Sequence, residues 1–178
     1  MDGLPMNSLS IALLSILLAT VQPAHADESL SPIVSRLTKW ISTKTRYSAQ
    51  TPAPTLRIVS EAELTEMYRR EAAGSGAETF RPRAIYLLQT RTIYLREDID
   101  PRSSIVAEET LMHELVHHMQ YAAGADKGWA CANYGEREAY RLGALFHTEF
   151  NSAAPDLAKI VSDHRKLALL LAYCKRER

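Results

Sequence analysis

Runs of like charge are missing from this chain: its 21 lysines and arginines are matched by 21 aspartates and glutamates, interspersed along 178 residues. With neither a basic stretch nor an acidic arm, no nucleic-acid partner is suggested. Internal repeats and low-complexity tracts are absent as well, which argues against a solenoid or an array. The length allows one hydrophobic core and leaves little room for a second domain of useful size. Cysteine is scarce. Cys131 and Cys174 are the only two, so the alternatives are a single disulfide or two buried thiols.

Long apolar runs are lacking too, with one exception at the start. Leu9 to Val21 is apolar over the length of a signal-peptide core, and Ala24-His25-Ala26 supplies a small-x-small cleavage pattern before Asp27. Residues 1–26 therefore read as a signal peptide and residues 27–178 as the domain, with export to the periplasm or the medium as the expected location. A membrane span needs about 20 apolar residues, so stable insertion after cleavage is not expected. No Lys or Arg precedes the run, a departure from the usual leader. No cysteine lies near the cleavage site, which leaves lipid anchoring without support. In an oxidising compartment the two cysteines are free to pair.

The rest of the chain alternates helical and strand patterns. Ser31-Pro32 reads as an N-cap followed by Pro at the first helical position, and Ile33, Leu37, Trp40 and Ile41 recur at helical spacing. Gln50 to Pro54 breaks that helix, and Leu56 to Val59 reads as a short strand. Ser60 and Glu63 fit a capping box that opens a second helix, ending before the loop Gly74-Ser75-Gly76. Ala84 to Leu88 and Thr92 to Arg96 form two β-rich runs joined by a tight turn. A third helix is expected from Ser103 or Ser104 through Tyr121, stopped by Gly124; a fourth from about Gly135 to Phe150; and a last one ending near Tyr173. Helix, strand, helix, hairpin and three helices make an α+β domain.

One segment carries recognisable chemistry: Leu111-Met112-His113-Glu114-Leu115-Val116-His117. Positions four apart share a helix face one turn up, so His113 and His117 can offer two imidazoles to one ion. Glu114, one residue around the helix, stands beside that ion rather than binding it, in the place of a general base. Chance placement of this chain's His and Glu would produce the pattern about 0.016 times per chain, so a coincidental pair of core histidines is the weaker account. A hydrolytic zinc site takes three protein ligands. Glu136 and Glu138, at the start of the next expected helix, are the candidates for the third.

At this point the chain resembles the gluzincin metallopeptidases, in which H-E-x-x-H is followed by a second helix bearing a Glu ligand. Residues 118 to 135 make an interval of eighteen, the one used by the aminopeptidase-type members, and Glu136 follows. The local sequence is also similar to their E-x-x-A pattern, with Ala139 as the small residue that lets the two helices approach. Glu138, followed directly by Ala139, is similar to the thermolysin-type arrangement and remains the second choice. The resemblance spans roughly residues 84 to 142. It implies a zincin-like fold, with a small sheet and hairpin packed on the H-E-x-x-H helix; Zn²⁺ on His113, His117 and Glu136; and Glu114 as general base. It also implies an edge strand that aligns the substrate backbone, which by order in the chain is Thr92 to Arg96. The motif that captures a free N-terminus in aminopeptidases is not visible, which favours an endopeptidase or another specificity. In size and layout the chain is similar to small exported bacterial gluzincins.

Several neighbours are weighed individually. Tyr140 could donate to the tetrahedral oxyanion, as a tyrosine or histidine does in related enzymes, and is assigned a catalytic role beside Glu114; a core tyrosine is the alternative. His164 could serve likewise or face solvent. His118, about 100° around the helix from His117, reads as a packing or surface residue. Gln120 lies close to the face of the two ligand histidines and could hydrogen-bond one of them. His147 is eleven residues beyond Glu136, about 16 Å along a helix, too far to join the same ion. The expected activity is zinc-dependent hydrolysis of peptide bonds in a peptide or protein substrate. The alternatives are an exported zinc-binding module or pseudoenzyme without turnover, and an envelope structural protein that holds no stoichiometric metal.

Overall fold

The structure is a computed structural model and describes residues 28–71, 80–172 and 174. The expected signal peptide and the Gly74-Ser75-Gly76 loop lie outside those residues. Among the described residues the elements are α1 (Ser31–Lys44), β1 (Thr55–Val59), α2 (Glu61–Glu71), β2 (Ala84–Leu87), β3 (Thr92–Arg96), α3 (Ile105–Ala122), α4 (Asn133–Phe150) and α5 (Leu157–Leu170). This is an α+β arrangement with a small mixed sheet. No helix among the described residues is long and apolar enough to cross a membrane.

The local signals act where their chemistry places them. Ser60 and Glu63 cap α2 reciprocally: the Glu63 carboxylate accepts from the Ser60 N–H at 3.0 Å, and Ser60 Oγ accepts from the Glu63 N–H at 3.3 Å. Ser104 Oγ accepts from the Ala107 N–H at 3.1 Å and opens α3. Gly124, at φ +67°, lets the chain turn away after α3 in the left-handed conformation that other residues resist. Two starts differ from the sequence reading. A 3₁₀ turn over Glu28–Leu30 runs straight into α1, which makes Ser31 the first helical residue rather than its cap. α4 begins at Asn133, two residues before Gly135.

The sheet order is β1-β3-β2, with β3 paired parallel to β1 and antiparallel to β2. The hairpin expected between Ala84 and Arg96 is thus present, but β3 is the central strand. Thr92 to Arg96 has both sides hydrogen-bonded and cannot align a substrate backbone; the edge strand on the hairpin side is β2. The physical reason is the parallel β1–β3 ladder, in which Leu56 faces Ile93 and Ile58 faces Leu95; pairing partners far apart in sequence are invisible to local patterning.

α3 forms the spine of the molecule and touches α1, α4, β2 and β3. Leu111, Met112, Leu115, Val116 and Met119 have no exposed surface, and with Glu109, Thr110, His118 and Gln120 also buried the helix is covered on more than one face. They join Leu37 and Ile41 of α1, Ile93 and Leu95 of β3, and Ala139, Leu142 and Phe146 of α4 in one core. α5 differs in kind: none of its residues is fully buried. Cys131, ahead of α4, is bonded to Cys174, beyond α5, so the thiol alternative gives way to the disulfide. It closes a loop of 43 residues, for which chain entropy suggests a contribution of roughly 2–4 kcal/mol. Cys131→Ser and Cys174→Ser are each expected to lower Tm to the extent that reductant lowers it in the parent, read by calorimetry; an unchanged Tm in both would show that the bond contributes no stability.

Candidate metal centre

Three side chains converge at the junction of α3 and α4. His113 Nε2 and His117 Nε2 are 3.2 Å apart. The Glu136 carboxylate bridges them, with Oε2 at 3.2 Å from His113 Nε2 and Oε1 at 3.2 Å from His117 Nε2. Zinc–nitrogen and zinc–oxygen bonds of about 2.0–2.1 Å in tetrahedral geometry place ligand atoms about 3.3 Å apart. The two nitrogens are already at the separation that such an ion requires, each has a carboxylate oxygen of Glu136 at a similar distance, and this group could hold a metal ion. The donors also fit: two imidazoles and one carboxylate are a borderline set, unlike the all-oxygen cages of calcium or magnesium.

The ring orientation of His117 is set from behind. Its Nδ1 donates to Gln120 Oε1 at 3.0 Å, which leaves Nε2 as the electron-pair donor. Gln120, fully buried, donates in turn to the Gly135 carbonyl and to Glu138 Oε2, each at 3.0 Å. Tyr47, from the segment after α1, also donates to Glu138 Oε2. Glu138 is thereby committed to Gln120 and Tyr47, and the geometry brings Glu136, not Glu138, to the two histidines. Removing a hydrogen bond that orients a ligating histidine typically weakens metal affinity about 10–100-fold. Gln120→Leu is expected to do so here, read by zinc competition with a chromophoric chelator; unaltered affinity would mean that His117 is held by packing alone.

Small residues on α4 make the approach feasible. A Cβ on Gly135 would stand 2.6 Å from Trp129 Cη2 and 3.1 Å from Gln120 Oε1, and Ala139 has no exposed surface. The electrostatics follow from crowding. Burial disfavours the charged form of His113, but the Glu136 carboxylate, with Glu114 and Glu109 nearby, overrides it and holds the imidazole up to about 9. Burial acts on Glu136 in the opposite sense, and the two imidazoles hold it well below the usual carboxylate range. Glu114 is raised by burial, against the pull of both histidines and a hydrogen bond from the Tyr86 backbone in β2.

Two hollows meet at this cluster. One, of about 220 Å³, is lined by Tyr86, Tyr121, Trp129 and Ala132; the other, of about 730 Å³, by Arg83, Tyr140, His164 and Leu167. Tyr68, Ala84, His113, Glu114 and Glu136 belong to both. β2 forms part of the shared wall, which gives this edge strand the position expected of Thr92 to Arg96. A larger cavity of about 820 Å³, lined by Arg46, Arg137, Arg141 and Arg165, touches Glu138 but none of the three convergent ligands.

Tyr140 lies edge-on to His113 with ring centroids 5.0 Å apart and to His164 at 6.0 Å; burial, with Glu136 next, raises its phenol and keeps it protonated. His118 is a packing residue, buried, with Nε2 donating to the Pro52 carbonyl at 2.7 Å and Nδ1 3.2 Å from Tyr86 Oη. His147 is buried and stands apart from Glu136, as its distance along the helix requires; together with His164 it approaches Glu109 instead. Glu109 escaped the sequence reading. The available signal was its position one turn before His113, on the same face of α3.

No curated protein and no solved structure matches this chain. Residues 26–158 match a family model described as a domain of unknown function, DUF6647. The matched span takes in His113, Glu114, His117, Glu136 and Tyr140 and ends before His164. The chain belongs to the DUF6647 family.

Proposed function

We propose that this chain is a zinc-dependent peptidase of the gluzincin kind, with a zincin-like domain exported to the periplasm or the medium. The observation that carries the reading is the convergence of His113 Nε2, His117 Nε2 and the two Glu136 carboxylate oxygens through contacts of 3.2 Å, with Glu114 beside them in the wall shared by two hollows. His113, His117 and Glu136 would hold the ion. When bound, zinc supplies Lewis-acid polarisation of the scissile carbonyl and a water acidified toward a pKa of about 7.

The remaining work belongs to the chain's own groups. Glu114 takes the proton of the attacking water and returns it to the leaving amine. Its Tyr86 hydrogen bond couples the base to β2, so the strand that lines the cleft also positions the base. Tyr140, protonated and with its ring edge-on to His113, would donate to the oxyanion that develops at the carbonyl. An extended peptide would lie along β2, with flanking residues in the two hollows that share Glu114.

The test is elemental analysis of the purified protein, followed by a casein-type assay with and without chelator. Stoichiometric zinc with chelator-sensitive hydrolysis is the expected result. Zinc without hydrolysis of any peptide pool would favour a binding module, and the absence of stoichiometric metal would overturn the proposal.

A further inference from the structure

A second group of ligand atoms lies one turn away along α3. Glu109 is buried at 9% exposure and His147 at 1%. With His164 of α5 they place one ligand atom each within 4.8 Å of one another. His164 Nε2 stands 3.4 Å from Glu109 Oε1. Its Nδ1 donates to the Ile160 carbonyl at 2.9 Å, so in the neutral ring Nε2 carries a lone pair aimed at a carboxylate oxygen. Two electron-pair donors facing each other away from water need positive charge between them. His147 Nδ1 lies 3.3 Å from the Asn151 side-chain amide. With that amide turned so that its oxygen accepts from Nδ1–H, the ring presents the lone pair of Nε2, which is how a partner at the other nitrogen orients a metal-ligating histidine.

α4 is shaped to admit these groups. A Cβ on Gly143 would stand 2.9 Å from His164 Nε2 and 3.0 Å from Glu109 Oε1. Glycine weakens a helix interior, so its presence here has a steric reason: it leaves the space in which ligands from α3 and α5 meet. α5 has no fully buried residue, and its Leu167 and Leu170 line the larger hollow beside His113.

We propose that Glu109, His147 and His164 form a second divalent-metal site, distinct from the His113–His117–Glu136 cluster, that takes a zinc-type ion and clamps α5 onto α3 and α4. Two imidazoles and one carboxylate select such an ion over calcium or magnesium, which prefer oxygen ligands. The clamp holds one wall of the cleft in place. It does not depend on the peptidase reading.

Metal-stripped protein titrated with Zn²⁺ against a chromophoric chelator tests the site. The parent is expected to bind two equivalents, and His164→Ala, Glu109→Gln and Gly143→Ala one each, with helical content checked by circular dichroism. Gly143→Ala keeps every ligand and raises the intrinsic helix propensity of α4, so with unchanged circular dichroism and Tm in the absence of metal its loss of an equivalent reports on the space over Gly143. In a His117→Ala background, the single remaining equivalent should raise Tm, and adding His164→Ala should abolish both the binding and the rise. If the peptidase site fails instead, His117→Ala retains all the zinc that the parent binds, while the three cluster variants still lose one equivalent. The proposal is overturned if the parent binds one equivalent that His117→Ala removes, as when the charge facing Glu109 is only a proton on His164. It is equally overturned if a second equivalent persists in all three cluster variants.

Discussion

Glu114→Gln is expected to retain zinc and lose peptide hydrolysis by a factor of about 10²–10⁴, the range that a positioned general base contributes. The amide is nearly isosteric and can still accept the Tyr86 N–H through its carbonyl oxygen, so the hollow and the ligand triangle should survive. What it cannot do is take a proton from water. Because Glu114 is not among the three convergent groups, metal content should match the parent within error. Two measurements on one preparation decide the matter: zinc per chain and the rate on a quenched-fluorescence peptide library. Parental turnover in the glutamine variant would remove Glu114 from the mechanism. Loss of zinc along with turnover would make Glu114 a ligand.

Removal of the Glu136 carboxylate is expected to have the larger effect on metal. Glu136→Ala leaves the two Nε2 atoms 3.2 Å apart with neither the third donor nor the negative charge that offsets part of the ion's own. Loss of an orienting hydrogen bond alone weakens binding about 10–100-fold, so loss of a ligand should exceed about 100-fold, with hydrolysis falling in parallel at limiting zinc. Glu138→Ala is the matched control. It deprives Gln120 and Tyr47 of their shared acceptor but removes no ligand, and stoichiometric zinc should remain at saturating concentration. The reverse pattern, with Glu138→Ala abolishing binding and Glu136→Ala tolerated, would exchange the two residues.

Much of this arrangement was legible along the chain because its causes are local. The capping box at Ser60 and Glu63, the Ser104 cap and the Gly124 turn are decided by groups within three residues of one another, and each is found where the sequence reading expects it. The four-residue spacing of His113 and His117 translates directly into a shared helix face, and their nitrogens meet at 3.2 Å. Spacing alone left Glu136 and Glu138 open. They are two residues apart on one helix, and which of them turns toward α3 depends on the rotation of α4 about its axis. That rotation is set by contacts that no local pattern displays, such as Gly135 against Trp129 and the Gln120–Glu138–Tyr47 network.

The misassigned edge strand has the same origin. Thr92 to Arg96 and Ala84 to Leu88 both read as strands, but their order in the sheet follows from β1 pairing parallel with β3 across more than thirty residues of chain. His147 and His164 illustrate the complementary case. Considered singly, one was too distant from Glu136 and the other read as an oxyanion donor or a solvent-facing residue; only the packing of α5 against α3 and α4 brings both to Glu109.

By itself the sequence determined the presence of the helices, the caps of α2 and α3, the hairpin and the two-imidazole face, since each depends on interactions between neighbours along the backbone. Tertiary structure alone decided which carboxylate joins that face, which strand borders the cleft, that Cys131 and Cys174 pair, and that a second set of donors meets over Gly143. These are consequences of how rigid elements rotate and stack against one another, and that geometry is a property of the assembled core rather than of any one segment.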